Sequence, residues 1–370
     1  MTQRRPAAPG DSLDAIETPA LVVDLSALER NLDALAGAMR GSRVRLRPHA
    51  KSHKCPDIAK LQIARGAVGI CCQKTDEALA FIDAGIADVL LTNEVIAPAK
   101  LDRLAAAARG ATVGLLVDAA EGVELANAAA ARAGSSLDLY VEVDVGAGRC
   151  GVAPELAGEL ALHVSRQQHV RFAGLHCYHG AAQHLRTPDE RRSAIAAART
   201  KVEKAVGAVV SKGLRCEIVT GAGTGTWRLE HESGVWNELQ PGSYVFMDAD
   251  YARNAAAPDD LRFEHSLFVL AGVMSVPGSG RAICDAGLKA FSFDSGLPLV
   301  EGRPGVGYVK ASDEHGVLES GEGASLRLGE RIRLIPGHCD PTVNLYDWIV
   351  GVRGATVECV WSVAARGALG

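Results

Sequence analysis

Between residues 44 and 245, eight short apolar runs alternate with longer stretches rich in Ala, Leu, Glu and Arg, and this limits the chain to few folds. The runs are Val44–Arg47, Val68–Cys71, Asp88–Thr92, Val113–Val117, Leu137–Val143, Phe172–Cys177, Glu217–Thr220 and Leu239–Val245. The stretches between them, such as 76–84, 98–109, 120–133, 154–166 and 188–212, carry helix-forming composition. Strands that alternate with helices are parallel and covered on the outside, and eight of them predict an α/β fold, a (β/α)8 TIM barrel over roughly 22–251.

Past residue 251 the texture changes. Ala-rich stretches vanish and Gly, Pro, Val and Ser rise through 262–276, 281–284, 305–310, 331–335 and 356–363, which predicts a second, mostly β domain over 252–370. Residues 1–21 are read as an N-terminal segment packing with that β domain, and no repeat of solenoid period is present. With 48% hydrophobic residues and a net charge of −5, the chain has material for a large core but no bulk positive charge, so neither nucleic acid nor a membrane is an expected partner and the substrate should be a small molecule. Residues 1–19 lack an apolar signal-peptide region and no run reaches 18 apolar residues, so a soluble, unexported protein is expected. The nine cysteines are odd in number, and Cys71, Cys72, Cys177, Cys216 and Cys284 lie in or beside strand-like runs, as reduced thiols of a cytoplasmic protein do.

In such a barrel chemistry gathers at the C-terminal ends of the strands. The first run ends in Arg47-Pro48-His49-Ala50-Lys51-Ser52-His53-Lys54. Lys51, with other cations around it to lower its pKa, is expected to be deprotonated near neutrality and able to form a Schiff base with an aldehyde, although the octapeptide alone also fits a basic surface loop. The seventh run leads into Thr220-Gly221-Ala222-Gly223-Thr224-Gly225-Thr226, and the eighth adjoins Gln240-Pro241-Gly242-Ser243-Tyr244. Glycines let backbone N–H groups approach a phosphate, and the loops after strands 7 and 8 are where barrels bind one. An amine on strand 1 and a phosphate cradle at strands 7–8 match the two ends of one compact cofactor, pyridoxal 5′-phosphate (PLP).

After the fifth run comes Asp144–Gly151, in which Arg149 can face a cofactor phenolate or a substrate carboxylate. The sixth run delivers His176-Cys177-Tyr178-His179-Gly180 and then Gln183 and His184. Strand alternation puts His176 and Tyr178 on one side, where Tyr178 can lie against the pyridine ring or its nitrogen, and either His179 or His184 can serve as a base. Late in the chain, Pro341 is expected to hold Asp340 extended, so that His338 and Asp340 share one face and Cys339 the other. An imidazole and a carboxylate make half a divalent-cation site, and without sulfur on that face a harder ion such as Mn²⁺ or Mg²⁺ is favoured over Cys-bound Zn²⁺.

Six segments carry a resemblance over nearly the whole chain from about Glu17. They are RPHAKSHK at 47–54, DVGAGRCG at 144–151, TGAGTGT at 220–226, ELQPGSYVFMD at 238–248, CDAGLKA at 284–290 and PGHCDPTVNL at 336–345. In that order they resemble the D-threonine aldolase and D-serine dehydratase family, PLP enzymes of fold type III with the alanine-racemase-like barrel. The resemblance implies that Lys51 carries PLP and that Gln73, Arg149 and Tyr178 line its pocket. It implies further that Gly223, Thr224, Gly242, Ser243 and Tyr244 form the phosphate site, that His338 and Asp340 bind the metal, and that His184 lies near the substrate hydroxyl. It also implies a homodimer. The family's dehydratase branch resembles His-x-Cys at the metal position and its aldolase branch His-x-Asp, so His338-Cys339-Asp340 is similar to the aldolase branch. The implied activity is cleavage of D-threonine and related D-3-hydroxy-amino acids to glycine and an aldehyde, with Mn²⁺ first among the ions and Mg²⁺, Co²⁺ and Zn²⁺ as further candidates. The alternatives are a PLP- and metal-dependent D-serine or D-3-hydroxyaspartate dehydratase, a non-catalytic PLP-binding protein and, with no use for the metal pair, a racemase.

Overall fold

The computed structural model describes residues 4–278, 280–321 and 323–370; residues 1–3 of the N-terminal segment lie outside them. The chain begins in the β layer with β1 (Ala20–Asp24) and α1 (Leu25–Met39), whose N-cap Asp24 accepts hydrogen bonds from the backbone of Ser26 and Ala27. The alternation read from the sequence then unfolds as β2 (Arg45–Leu46), α2 (Pro56–Ala64), β3 (Ile70–Cys72), α3 (Thr75–Asp83), β4 (Asp88–Glu94) and α4 (Pro98–Ala107). It continues through β5 (Thr112–Val117), α5 (Ala120–Ala133), β6 (Leu137–Glu142), α6 (Ala157–Ser165), β7 (Val170–Cys177), α7 (Pro188–Ser211), β8 (Val219–Gly221), α8 (Trp227–Glu232) and β9 (Glu238–Leu239).

The strands of β2–β9 pair in parallel in the order β2-β9-β8-β7-β6-β5-β4-β3. The ring closes through Val68 N–H to Leu46 O, Cys71 N–H to Pro48 O and a parallel bridge between His49 and Cys71. The strands at the first, second, seventh and eighth runs are shorter than expected. The run at 239–245 is a strand only to Leu239, because Pro241 has no N–H to donate and Ser243–Val245 winds into a 3₁₀ turn.

Strand alternation divides the barrel interior into layers. A waist of Cys71, Leu90, Leu116, Tyr140 and Ala173 is buried and apolar. Intervening residues such as Val89, Leu91, Leu115 and Leu139 face the helices and join the main core. Below the waist, at the N-terminal mouth, Arg47 is buried between two carboxylates: its Nε donates to Glu238 at 3.0 Å and its Nη1 to Asp88 at 2.6 Å, while Arg45 Nη2 reaches Glu238 at 2.7 Å. Burial alone would lower the pKa of Arg47, but Glu238 and Asp88 outweigh it and hold the guanidinium charged. Glu238→Ala leaves Arg47 buried without its fully enclosed partner and is expected to cost about 3–5 kcal/mol, read as a lower urea midpoint.

The second layer is a nine-stranded sheet. It contains β1 together with β10 (Leu267–Gly278), β11 (Arg281–Cys284), β12 (Leu299–Val300), β13 (Val306–Ala311), β14 (Gly316–Ser320), β15 (Arg331–Ile335), β16 (Trp348–Arg353) and β17 (Thr356–Ser362). The spine runs β13-β14-β11-β10-β1-β16-β17, with β15 also on β10 and β12 on β15. One short helix, α9 (Cys339–Val343), interrupts it and projects toward the barrel. No described helix is long and apolar enough to cross a membrane, and all nine cysteines are unpaired.

Candidate active site

Above the apolar waist lies a cavity of about 260 Å³ at the C-terminal ends of the barrel strands. Lys51, Gln73, Arg149, Tyr178, His184, Gly223, Thr224, Gly242 and Ser243 line it, so nine of the residues singled out from the sequence meet in one place. Its floor is polar. His176 and Gln240 share a 3.1 Å hydrogen bond, Gln240 Nε2 donates to Thr220 Oγ1 at 2.8 Å, and His176 Nδ1 pairs with the buried carboxylate of Glu142.

Lys51 stands in a 3₁₀ turn (Ala50–Ser52) separated from the end of β2 by three residues, with His49 as the cap: His49 Nδ1 accepts the Lys51 backbone N–H at 3.3 Å. His49 Nε2 then pairs with Thr92 Oγ1 at 2.9 Å, and burial and the nearby Lys51 charge hold this imidazole neutral. The surroundings of Lys51 differ from the cationic environment expected. Arg47 is neutralised below, Lys54 Nζ is 3.4 Å from Glu77, and burial pushes His53 down to about 4, leaving it uncharged. Burial would lower the Lys51 pKa, but the Asp340 carboxylate, in direct contact with Nζ, raises it above its ordinary value. A lysine that keeps its proton replaces the depressed one, because the partner comes from a domain 289 residues away.

The metal-type pair also has a different backbone from the extended segment expected. Cys339–Val343 is a helical turn with His338 at its N-cap, and Pro341 sits within the first turn, where a missing N–H costs nothing. The side chains separate nevertheless. Cys339 Sγ is buried against Met247 O at 3.3 Å, whereas Asp340 reaches Lys51. Burial raises the Asp340 pKa, but Lys51 and His338 pull it down to about 2, so it is ionised. Its Oδ1 is buried without a well-formed hydrogen bond, as is the hydroxyl of neighbouring Ser52. His338 Nδ1 pairs with Asp294 Oδ2 at 2.7 Å, which makes Nδ1 the donor and, in the neutral ring a cation would bind, leaves the lone pair on Nε2. An orphaned carboxylate oxygen and an imidazole oriented through a carboxylate are donors a divalent cation can use. Among the described residues, three such ligand atoms within 4.8 Å of one another occur only at Glu94, Asp118 and Cys150. There burial and Glu94 push the thiol pKa up, away from the thiolate a metal needs.

At the other end of the cavity, Ala222 takes φ +68° and turns the chain out of β8 into Gly223-Thr224. Gly223 lies so close to Gln183 that a Cβ would meet Oε1 at 2.5 Å, and one on Gly242 would meet His49 O at 2.7 Å and Ser52 Oγ at 2.8 Å. The two halves of the cradle are tied by Tyr244 N–H to Thr224 Oγ1 at 3.1 Å, and Gln183 braces it by accepting from Gly225 N–H and donating to Thr226 Oγ1. Tyr244, expected beside the phosphate, does not line the cavity. Its ring is in the core against Phe263, its hydroxyl accepts from Gln62 Nε2, and its N–H is spent on Thr224, because the 3₁₀ turn rotates residue 244 away from the cavity.

Of the two histidines beyond β7, His184 borders the cavity and His179 lies against Gly146. Gln73 is locked by Nε2 to Thr92 O at 3.0 Å and by Thr92 Oγ1 to its Oε1 at 3.2 Å. Burial pushes the Tyr178 hydroxyl pKa up despite the nearby charges of Lys51 and Arg149, so it is a neutral donor. His49, Ser52, Thr92, His176, Gln240 and Tyr251 also line the cavity and were given no role from the sequence. Strand parity could have found some of them, since Thr92 lies two residues beyond Leu90 on the inward face of β4. Tyr251 follows the segment at 238–248 in a 3₁₀ turn without periodicity.

Residues 23–250 match the family described as alanine racemase, N-terminal domain, and residues 266–352 match the putative serine dehydratase domain. The chain is 48% identical over 369 residues to a 3-hydroxy-D-aspartate aldolase of Paracoccus denitrificans (strain Pd 1222), covering 98% of this chain and 95% of that protein. The crystal structure of D-threonine aldolase from Filomicrobium marinum superposes with a TM-score of 0.97 at 48% identity, covering 99% of this chain and 100% of that one. A D-threo-3-hydroxyaspartate dehydratase of Delftia sp. (strain HT23) is more distant, at 31% identity over 90% of this chain and 93% of its own.

Proposed function

The chain belongs to the alanine-racemase-like, fold type III family of PLP enzymes and falls with its aldolases, and from that membership we propose that it cleaves D-threonine and related D-3-hydroxy-amino acids to glycine and an aldehyde. The observation that carries the reading is the meeting of Lys51 with Asp340, which sets an amine and an oxygen donor of a cation half-site side by side at one cavity.

In this proposal Lys51 Nζ holds the cofactor aldehyde, and Gly223, Thr224, Gly242 and Ser243 hold the phosphate at the opposite end. PLP, when bound, supplies the sink for the electron pair released as the Cα–Cβ bond breaks. Asp340 Oδ1 and His338 Nε2 are the ligands for a divalent ion, which acidifies the alcohol it binds. Mn²⁺ is the first candidate and Mg²⁺, Co²⁺ and Zn²⁺ follow; the oxygen and nitrogen donors, with Cys339 sulfur turned into the core, support a harder ion. His184 accepts the proton of the β-hydroxyl, and Arg149 sets a fixed positive charge against the anionic side of the cofactor or substrate. Tyr178 and Gln73 fix the ring laterally, and the neutral His49 keeps a second cation away from Lys51. The reading includes a homodimer, supported by exposed apolar side chains on the β layer such as Met274, Leu288, Leu299 and Leu328. It also includes a cytoplasmic setting, supported by the nine unpaired thiols.

The test is product identity. Purified protein with PLP, Mn²⁺ and D-threonine is expected to release glycine and acetaldehyde in equal amounts. Ammonia with 2-oxobutanoate would make it a dehydratase and overturn the proposal, and conversion of D-threonine to L-allo-threonine, its Cα epimer, would make it a racemase.

A further inference from the structure

We propose that Asp250 is the positioning residue of this site: it fixes the tautomer of His184 and its distance from the metal-bearing turn, so that Nε2 is the nitrogen presented to the substrate oxygen. The inference rests on the aldolase reading, in which His184 is the proton acceptor.

His184 Nδ1 is 2.7 Å from Asp250 Oδ2. A carboxylate only accepts, so Nδ1 carries the hydrogen and, in the neutral ring that acts as a base, the lone pair is on Nε2. The imidazole is half exposed, and the ring of Tyr251, at 5.2 Å between centroids, packs against it. The carboxylate that aims it is mostly buried and held on all sides. Arg186 Nη2 donates to Asp250 Oδ1 at 2.5 Å, Arg186 Nη1 donates to Asp250 O at 2.8 Å and to Asn254 Oδ1 at 2.7 Å, and Arg253 Nη1 adds a 3.4 Å contact. Oδ1 is thus occupied by guanidinium groups and Oδ2 is left for the histidine.

The same strip of chain is clipped to the turn that carries His338 and Asp340. Ala249 N–H donates to Pro336 O at 3.0 Å, Asp250 N–H donates to Gly337 O at 3.2 Å, and Asp248 Oδ2 accepts the Cys339 N–H at 3.1 Å. Three consecutive residues therefore bind the metal-bearing turn through their backbone or side chains, and the third also orients His184. Relative placement of proton acceptor and cation ligands is set by this strip rather than by the loop 180–187 on which His184 sits. A structural salt bridge at the rim would explain Arg186 with Asp250 but not the dedicated oxygen on His184.

The test uses the Mg²⁺-loaded holoenzyme labelled with ¹⁵N-histidine. Asp250→Asn keeps the shape of the side chain but lets Nδ1 lose its hydrogen. It is expected to lower kcat about 10²-fold with KM within about threefold, and to convert the His184 signal, identified by its loss in His184→Ala, from the Nδ1–H form to a tautomer mixture. An unchanged kcat, or a lowered kcat with the His184 tautomer unchanged, overturns the proposal and makes Asp250 structural. Should Asp250→Asn fold poorly, Asp250→Glu retains a carboxylate for Arg186 while displacing the imidazole; it is expected to lose about tenfold in kcat, and wild-type kcat overturns the proposal. His184→Ala with full kcat, or ammonia among the wild-type products, would instead bring down the underlying reading of the site.

Discussion

Lys51→Ala is expected to lower turnover by at least about 10³-fold and to remove the visible absorption band of the lysine-bound cofactor. Among the residues lining the cavity Lys51 supplies the sole amine, so no neighbour can take over its bond to the aldehyde. Lys54, three positions on, is turned toward Glu77. Borohydride reduction of the wild-type holoenzyme followed by peptide mass mapping should find the added mass on the peptide containing Lys51. Modification at another lysine, with activity surviving in Lys51→Ala, would refute the assignment. The substitution has a second consequence. Asp340 loses the ammonium that holds its carboxylate ionised, while its Oδ1 already lacks a donor. A cation then becomes its main source of compensation, and divalent-ion affinity in Lys51→Ala should be retained or increased even as turnover is lost.

Removing the divalent ion is the second large effect expected. Dialysis against a chelator should lower kcat about 10²–10³-fold, because a Lewis acid at an alcohol lowers the barrier by several kcal/mol and each 1.4 kcal/mol is tenfold. Mn²⁺, Mg²⁺ or Co²⁺ should restore activity. Asp340→Ala should reproduce the loss without restoration at ordinary ion concentrations. Asp294→Asn removes the carboxylate that orients His338 through a 2.7 Å bond, and should weaken ion affinity about 10- to 100-fold while leaving saturated kcat nearly intact. Full activity after exhaustive chelation would remove the ion from the mechanism.

Much of the fold was legible because it rests on local patterns. The apolar runs lie where β4 to β7 form, and α7 spans Pro188–Ser211 against an expected 188–212, since its Thr187–Glu190 capping box marks the start. Strands β2, β8 and β9 were harder: each is two or three residues long, and its pairing partner rather than its own sequence decides where it ends. In the site, Lys51, Arg149, Tyr178, His184 and the glycines follow strand ends and could be placed by counting. Tyr244 could not, because one 3₁₀ turn reverses the direction of its side chain. The turn at 338–343 reads as extended from Pro341 but winds as a helix, since a proline in the first helical turn is tolerated and a dipeptide rule does not say which case applies.

The amino-acid order by itself determined the barrel, the β layer after it, and the residue types gathered at the strand ends, because hydrophobic periodicity and turn chemistry act over a few residues. Only the tertiary structure decided how those residues are charged and aimed. Lys51 keeps its proton through Asp340, and His184 is oriented by Asp250, through contacts spanning 289 and 66 residues of chain. A pKa or a tautomer is set by the nearest charge in space, and chain folding, not sequence proximity, brings that charge into place.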